Sequence, residues 1–280
     1  MHQAGTRVQL EHQIAAAIHE WFSGRSYALA LGGAQSKGLA DDLSDVDFYG
    51  FADDWPDDGQ RTLLAHAALP AATGVRSWSQ VPTQAGTDFE FEGRSVEIWL
   101  RNLSLLVLQV ERALSGKIER HYCTWAPNGF WDHCALADLH SLRIIEDEAG
   151  RLADVQDRLR QYPHALKMSL CQVGFASVNF WRGSFHLQTA IERCDEFYLQ
   201  SILHQIRSEL VQALFAINEV YYPGDKKLER WFERLPSLPR DFRARWIKTA
   251  ALGQATSSEW RSRFDGLFTL ADELLRLQEL

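Results

Sequence analysis

Apolar residues along the first half of this chain recur with two different periods. From Val8 to Phe22 they return every three or four residues, with Ile14, Ile18, Trp21 and Phe22 on one side, and this spacing predicts an amphipathic helix. Ser26 to Leu31 and Asp45 to Phe51 are short apolar runs that predict strands. A helix near Arg61 to Ala68 and a strand around Gly74 to Trp78 come next. The stretch from Asp88 to Leu100 reads as a hairpin turning at Gly93. In its second arm Val96, Ile98 and Leu100 take one face and Glu97 the other. Asn102 to Leu114 predicts a helix, Pro127-Asn128-Gly129 predicts a break, and Glu146 to Gly150 marks the expected domain border.

Beyond that border the pattern is almost wholly helical. Leu199, Ile202, Leu203, Ile206, Leu210, Ala213, Leu214, Ile217 and Val220 form one long stripe. Trp260, Phe264, Leu267, Phe268, Ala271, Leu274 and Leu275 repeat it, with Pro236 and Pro239 between the two. The expected fold class is α+β: an N-terminal domain over 1–148, a mixed sheet with flanking helices, followed by a C-terminal helical bundle over 149–280.

The candidate chemistry lies between the first two strands. Leu31-Gly32-Gly33-Ala34-Gln35-Ser36-Lys37-Gly38 reads as a strand end, a glycine turn and a short helix. Leu43-Ser44-Asp45-Val46-Asp47-Phe48 then puts two carboxylates on one face of the next strand. Two adjacent carboxylates repel, and hard divalent cations such as Mg²⁺ offset that repulsion. Gly32 and Gly33 let backbone N–H groups approach an anion. A phosphate cradle next to a dicarboxylate metal site is apparatus for phosphoryl or nucleotidyl transfer.

The Gly-Gly turn followed by Ser44-Asp45-Val46-Asp47 resembles the signature of the polymerase-beta-type nucleotidyltransferase superfamily. Within it, the chain is most similar to the aminoglycoside and lincosamide nucleotidyltransferases and their uncharacterised bacterial relatives. The resemblance implies an adenylyltransferase-type enzyme with a third carboxylate on a later strand. Glu97 is chosen for that role, with Glu90 as the competitor. It implies two Mg²⁺ ions on Asp45, Asp47 and Glu97, with ATP or another nucleoside triphosphate lying over Gly32, Gly33 and Ser36. It also matches Asn218-Glu219-Val220-Tyr221-Tyr222-Pro223-Gly224-Asp225-Lys226 to a family segment whose lysine faces the outgoing pyrophosphate, which assigns that role to Lys226. The phosphate loop departs from the family pattern, because Ala34 stands where the family offers a serine.

Composition narrows the partners. A net charge of −8 over 280 residues disfavours broad nucleic-acid binding and suits a small acceptor, an antibiotic among the candidates. Glu192, Asp195 and Glu196 are candidates for a general base or for attracting a cationic acceptor. The acids of Asp53-Asp54-Trp55-Pro56-Asp57-Asp58 read as a solvated loop. Four cysteines without Cys-x-x-Cys spacing suit reduced thiols and a cytoplasmic location. His121, Cys123, His133 and Cys134 match no zinc spacing. No membrane partner is expected, and the chain is expected to be a monomer or homodimer. Nucleotidylation of a protein or tRNA, and a non-catalytic nucleotide-binding relative, remain the alternatives.

Overall fold

The computed structural model describes residues 2–41, 44–80, 84–123, 126–250 and 255–278; Leu43 of the strand motif lies outside them. The chain forms two compact units, residues 1–111 with 138–160 and residues 112–137 with 161–280. The single border expected at 148/149 is thus replaced by three crossings, at 111/112, 137/138 and 160/161.

The first unit is built on α1 (His2–Trp21), β1 (Tyr27–Leu31), α2 (Gly33–Ser36), β2 (Val46–Ala52), α3 (Asp58–Ala68), β3 (Thr73–Gln80), β4 (Gln84–Phe91) and β5 (Arg94–Asn102). Most of α4 (Leu103–Leu114) also belongs to it. After an excursion through β6 (Arg120–Cys123), β7 (Ala126–Trp131) and the first residues of α5 (Ala135–Ser141), the chain returns with β8 (Arg143–Asp147) and α6 (Arg151–Arg158). Six strands form one sheet in the order β3-β4-β5-β2-β1-β8. Among the described strands only the central β2–β5 pair is parallel, because α3, β3 and β4 intervene as the crossover.

Alternation along these strands separates two chemistries. Phe48 and Ala52 of β2, Val96, Ile98 and Leu100 of β5, and Ala85 and Phe89 of β4 join Ile14, Ile18, Trp21, Phe22 and Ala65 in one buried cluster. The opposite face carries the polar and aromatic residues of the site. Glu92 and Gly93, both at positive φ, form the tight turn that fixes the β4–β5 register.

One expectation on the first unit needs correction. Glu146 to Gly150 is no border: Ala28 and Leu29 pair with Asp147 and Glu146, so this stretch becomes the edge strand β8 and the entry to α6. The acids at 53–58 lie in a polar turn with Asp53, Asp54 and Asp57 exposed, and three of them also hold local structure. Asp57 closes a capping box with Gln60 at the start of α3, Asp53 accepts the Ser104 N–H at 3.0 Å, and Asp58 pairs with Arg61 at 2.8 Å.

The second unit holds β6, β7, α7 (His164–Arg182), α8 (Phe185–Arg193), α9 (Glu196–Ile217), α10 (Leu228–Phe232), α11 (Phe242–Thr249) and α12 (Ser257–Gln278). The two predicted stripes form its core, from Leu199 to Leu214 on α9 and from Trp260 to Leu274 on α12, with Leu275 exposed. The break predicted at Pro127 lies inside β7. A two-stranded ribbon has only edge strands, in which a proline is tolerated where its nitrogen faces away from the partner, and the paired positions, Arg120 with Trp131, His121 with Phe130 and Cys123 with Ala126, do not include Pro127. The helix before Pro223 ends earlier than that proline, at Ile217. There Asn218 donates to the Leu214 carbonyl and accepts the Ser237 N–H. Glu192 and Glu196 fall on two helices rather than one, parted by Cys194 at positive φ; Glu192 pairs with Arg261 at 2.5 Å. Among the described residues no helix is long and apolar enough to cross a membrane.

Candidate active site

Register assembles the site. In the parallel pair, Asp47 of β2 lies opposite Glu97 of β5. Asp45 precedes β2 by one residue rather than lying within it, and follows Ser44, whose N–H and hydroxyl both donate to Asp41. The Gln35 side chain donates to the Asp45 carbonyl at 3.4 Å. Asp45, Asp47 and Glu97 each offer an oxygen within 4.8 Å of the others. Glu90, the competing third carboxylate, pairs with Ser95 further along the same face of the sheet, where it is exposed and outside this cluster.

The glycine turn is built onto Asp47. Gly32 donates its N–H to the Asp47 carbonyl at 2.9 Å. Gly33 has φ +62°, and a Cβ there would lie 1.6 Å from Asp47 Oδ2, so only glycine fits. The Ser36 hydroxyl donates to the Gly33 carbonyl at 3.3 Å and lies 3.4 Å from that of Ser141. The Gly32 N–H and the Ser36 hydroxyl, both expected to face phosphate, therefore have partners inside the protein. The α2 helix is a single turn, so its dipole is small.

Electrostatics mark Asp47 as the centre of the cluster. Only 8% of it is exposed, and burial followed by the charges of Asp45, Glu97 and Asp138 pushes its carboxyl up from 3.8 to about 7. Lys37 opposes this rise, itself paired with Asp138 at 2.5 Å. Three oxygen ligands with mutual repulsion and no softer donor fit a hard divalent cation such as Mg²⁺. Among the described residues this is the one such grouping; the sulfur–imidazole candidates form none. His133 is buried with Nε2 3.0 Å from Gln212 Oε1, Cys134 is a buried free thiol, and the Cys123 side chain lies outside the description.

Comparison with known proteins adds a frame without deciding the chemistry. A model for a domain of unknown function (DUF4037) matches residues 131–232. Among solved structures, the chain is similar to a nucleotidyltransferase-like protein from Exiguobacterium sibiricum, at 11% identity and a TM-score of 0.46. That alignment covers 99% of this chain and 76% of the other. No curated protein matches the sequence. The chemistry of the site is accordingly read from its own geometry.

Several residues of this face went unpredicted. The Trp99 indole donates to Glu97 at 3.1 Å and packs edge-to-face on Trp78, with ring centroids 5.1 Å apart. Asp88 pairs across from Glu97, and Arg101 stacks over Tyr49 and Trp99. The alternation that singles out Glu97 also places Trp99 and Arg101 beside it, so both were within reach of the sequence. The Lys37–Asp138 pair spans 101 residues and leaves no local signal. Lys226 belongs to the second unit, in the turn before α10, next to an Asp225 that accepts hydrogen bonds from Asn128 and Tyr222.

Proposed function

We propose that the protein is a Mg²⁺-dependent nucleotidyltransferase that moves a nucleoside monophosphate, AMP in the first instance, from a triphosphate to a hydroxyl of a small acceptor. The observation that carries this reading is the Asp45–Asp47–Glu97 cluster built against the Gly32-Gly33 turn. Asp45, Asp47 and Glu97 would hold Mg²⁺, which supplies Lewis acidity toward phosphoryl and hydroxyl oxygens. Glu97, oriented by the Trp99 indole, takes the acceptor's hydroxyl proton. The acceptor oxygen then bonds to the α-phosphorus as the bond to pyrophosphate breaks. Asp45 and Asp47 would hold the cation that offsets the negative charge of the α-phosphate.

The test measures pyrophosphate release with Mg²⁺, each of the four nucleoside triphosphates and a panel of aminoglycosides and lincosamides. Release that needs one acceptor, is lost in Glu97→Gln and persists in Glu90→Gln supports the reading. Release equally sensitive to both changes, or insensitive to Glu97→Gln, refutes the assigned third carboxylate.

A second reading has its own support. Ala34 lacks the family hydroxyl, and that of Ser36 is turned toward Gly33 and Ser141. Both features favour a nucleotide-binding protein without turnover. Tight Mg²⁺-dependent ATP binding with no pyrophosphate release under any condition selects it.

A further inference from the structure

The face of the sheet that carries Asp47 and Glu97 also carries a cation that, among the described residues, has no counter-charge. Arg101 follows Glu97 and Trp99 at two-residue steps along β5, and its Cα pairs with that of Phe51 on β2. Its guanidinium lies 5.7 Å from the Tyr49 ring centroid and 5.9 Å from that of Trp99. The side chain is therefore folded over the ring pair that adjoins the carboxylates. Its Nε is buried without a hydrogen-bond partner, and among the described residues Arg101 makes no ion pair. Four other arginines of the first unit each have an acid: Arg61 meets Asp58, Arg143 meets Glu11, Arg151 meets Asp53 and Arg158 meets Glu111.

Aromatic faces attract a guanidinium but accept none of its N–H groups in the plane of the fork. A partly buried guanidinium without an acceptor carries a desolvation cost that an incoming anion removes. The planar donor fork matches phosphate and carboxylate oxygens two at a time. The Tyr49 hydroxyl feels Arg101 as well as Asp47 and Glu97, so the cation and the carboxylates act on one neighbourhood. Without a bound cation the three carboxylates repel any anionic part of a substrate, and Arg101 is a fixed positive charge beside them.

We propose that Arg101 is the anion-binding residue of this site, taking a phosphate or carboxylate group of the substrates. This rests on the nucleotidyl-transfer reading for its biological meaning but not for its test. The group has two sources, the terminal phosphates of the nucleotide or an acidic substituent on the acceptor.

Calorimetric titration of wild type, Arg101→Gln and Arg101→Lys separates them, using inorganic pyrophosphate and glycerol 3-phosphate in EDTA, and ATP with Mg²⁺. The expected result is a roughly tenfold or larger loss of affinity in Arg101→Gln for at least one probe. Arg101→Lys recovers part of it, because charge returns without the fork. Loss for pyrophosphate and ATP together assigns the nucleotide; loss for glycerol 3-phosphate alone assigns an acidic acceptor. The proposal is overturned if wild type binds none of the probes, or if Arg101→Gln binds all of them as wild type does. A packing role predicts a lower melting temperature with unchanged anion affinity, whereas the proposal predicts a melting temperature equal to or above wild type. Asp47→Asn, titrated in parallel, tests the metal reading separately: it removes Mg²⁺-dependent ATP binding while metal-free pyrophosphate binding still reports on Arg101.

Discussion

Replacing Asp47 by asparagine should make the metal-free protein more stable at alkaline pH. The amide keeps the volume of the side chain and the backbone bond from Gly32, and removes only the charge. The wild-type carboxyl is pushed from 3.8 to about 7 by burial and by its carboxylate neighbours. A group whose folded pKa exceeds its unfolded value binds its proton more tightly in the native state. Its contribution is fully present below pH 3.8 and is lost as pH rises through about 7. At RT ln 10 per pH unit, that difference is worth about 4 kcal/mol of stability. An asparagine amide in the same buried place recovers roughly half or more of it, a rise of about 4–8 °C in melting temperature at pH 8.5. The assay is thermal unfolding in EDTA from pH 5 to 8.5, repeated with Mg²⁺. Near pH 5 the two proteins should melt together, and the gap should open through neutrality. Mg²⁺ should raise the wild type at pH 8.5 and leave Asp47→Asn unmoved. A mutant less stable than wild type at pH 8.5, or a gap independent of pH, would refute this account of the cluster.

Two further substitutions probe the scaffold. Gly33→Ala puts a methyl group where Asp47 Oδ2 now lies, at a backbone angle that suits glycine; it should cost about 1–3 kcal/mol and abolish Mg²⁺-dependent stabilisation, read by urea unfolding with and without the ion. Arg61 is fully buried and donates to Asp58, Thr87 and the carbonyls of Pro56, Trp78 and Gly86. Its replacement by Ala strands those acceptors and should cost about 3–5 kcal/mol, visible as a large fall in the urea midpoint and as altered Trp78 fluorescence.

The alternation of Val96, Ile98 and Leu100 was enough to aim Glu97 away from the core, and the same rule aims Asp47 away from Phe48. That Asp47 and Glu97 meet depends on β2 and β5 pairing in parallel, which sequence patterning alone does not dictate. Arg61 reads as an ordinary surface residue of an amphipathic helix. Its burial follows only from the carbonyls that the β3–β4 hairpin presents, a tertiary fact. Asn218 was passed over as a helix end because Pro223-Gly224 is the louder signal, although a capping amide acts locally and needs no proline. Glu146 and Asp147 read as a polar linker because an edge strand keeps one side solvated and looks like a loop in composition.

The parallel pairing of Asp47 with Glu97 has one more consequence. A slip of β5 by a single residue against β2 would set Val96 or Ile98 opposite Asp47 and turn Glu97 toward Ile18 and Phe22. The error that dismantles the cluster would thus also bury a charge in the core. Assembly of the cluster and burial of the core depend on the same two-residue repeat, so a one-residue mispairing cannot lose the first and keep the second.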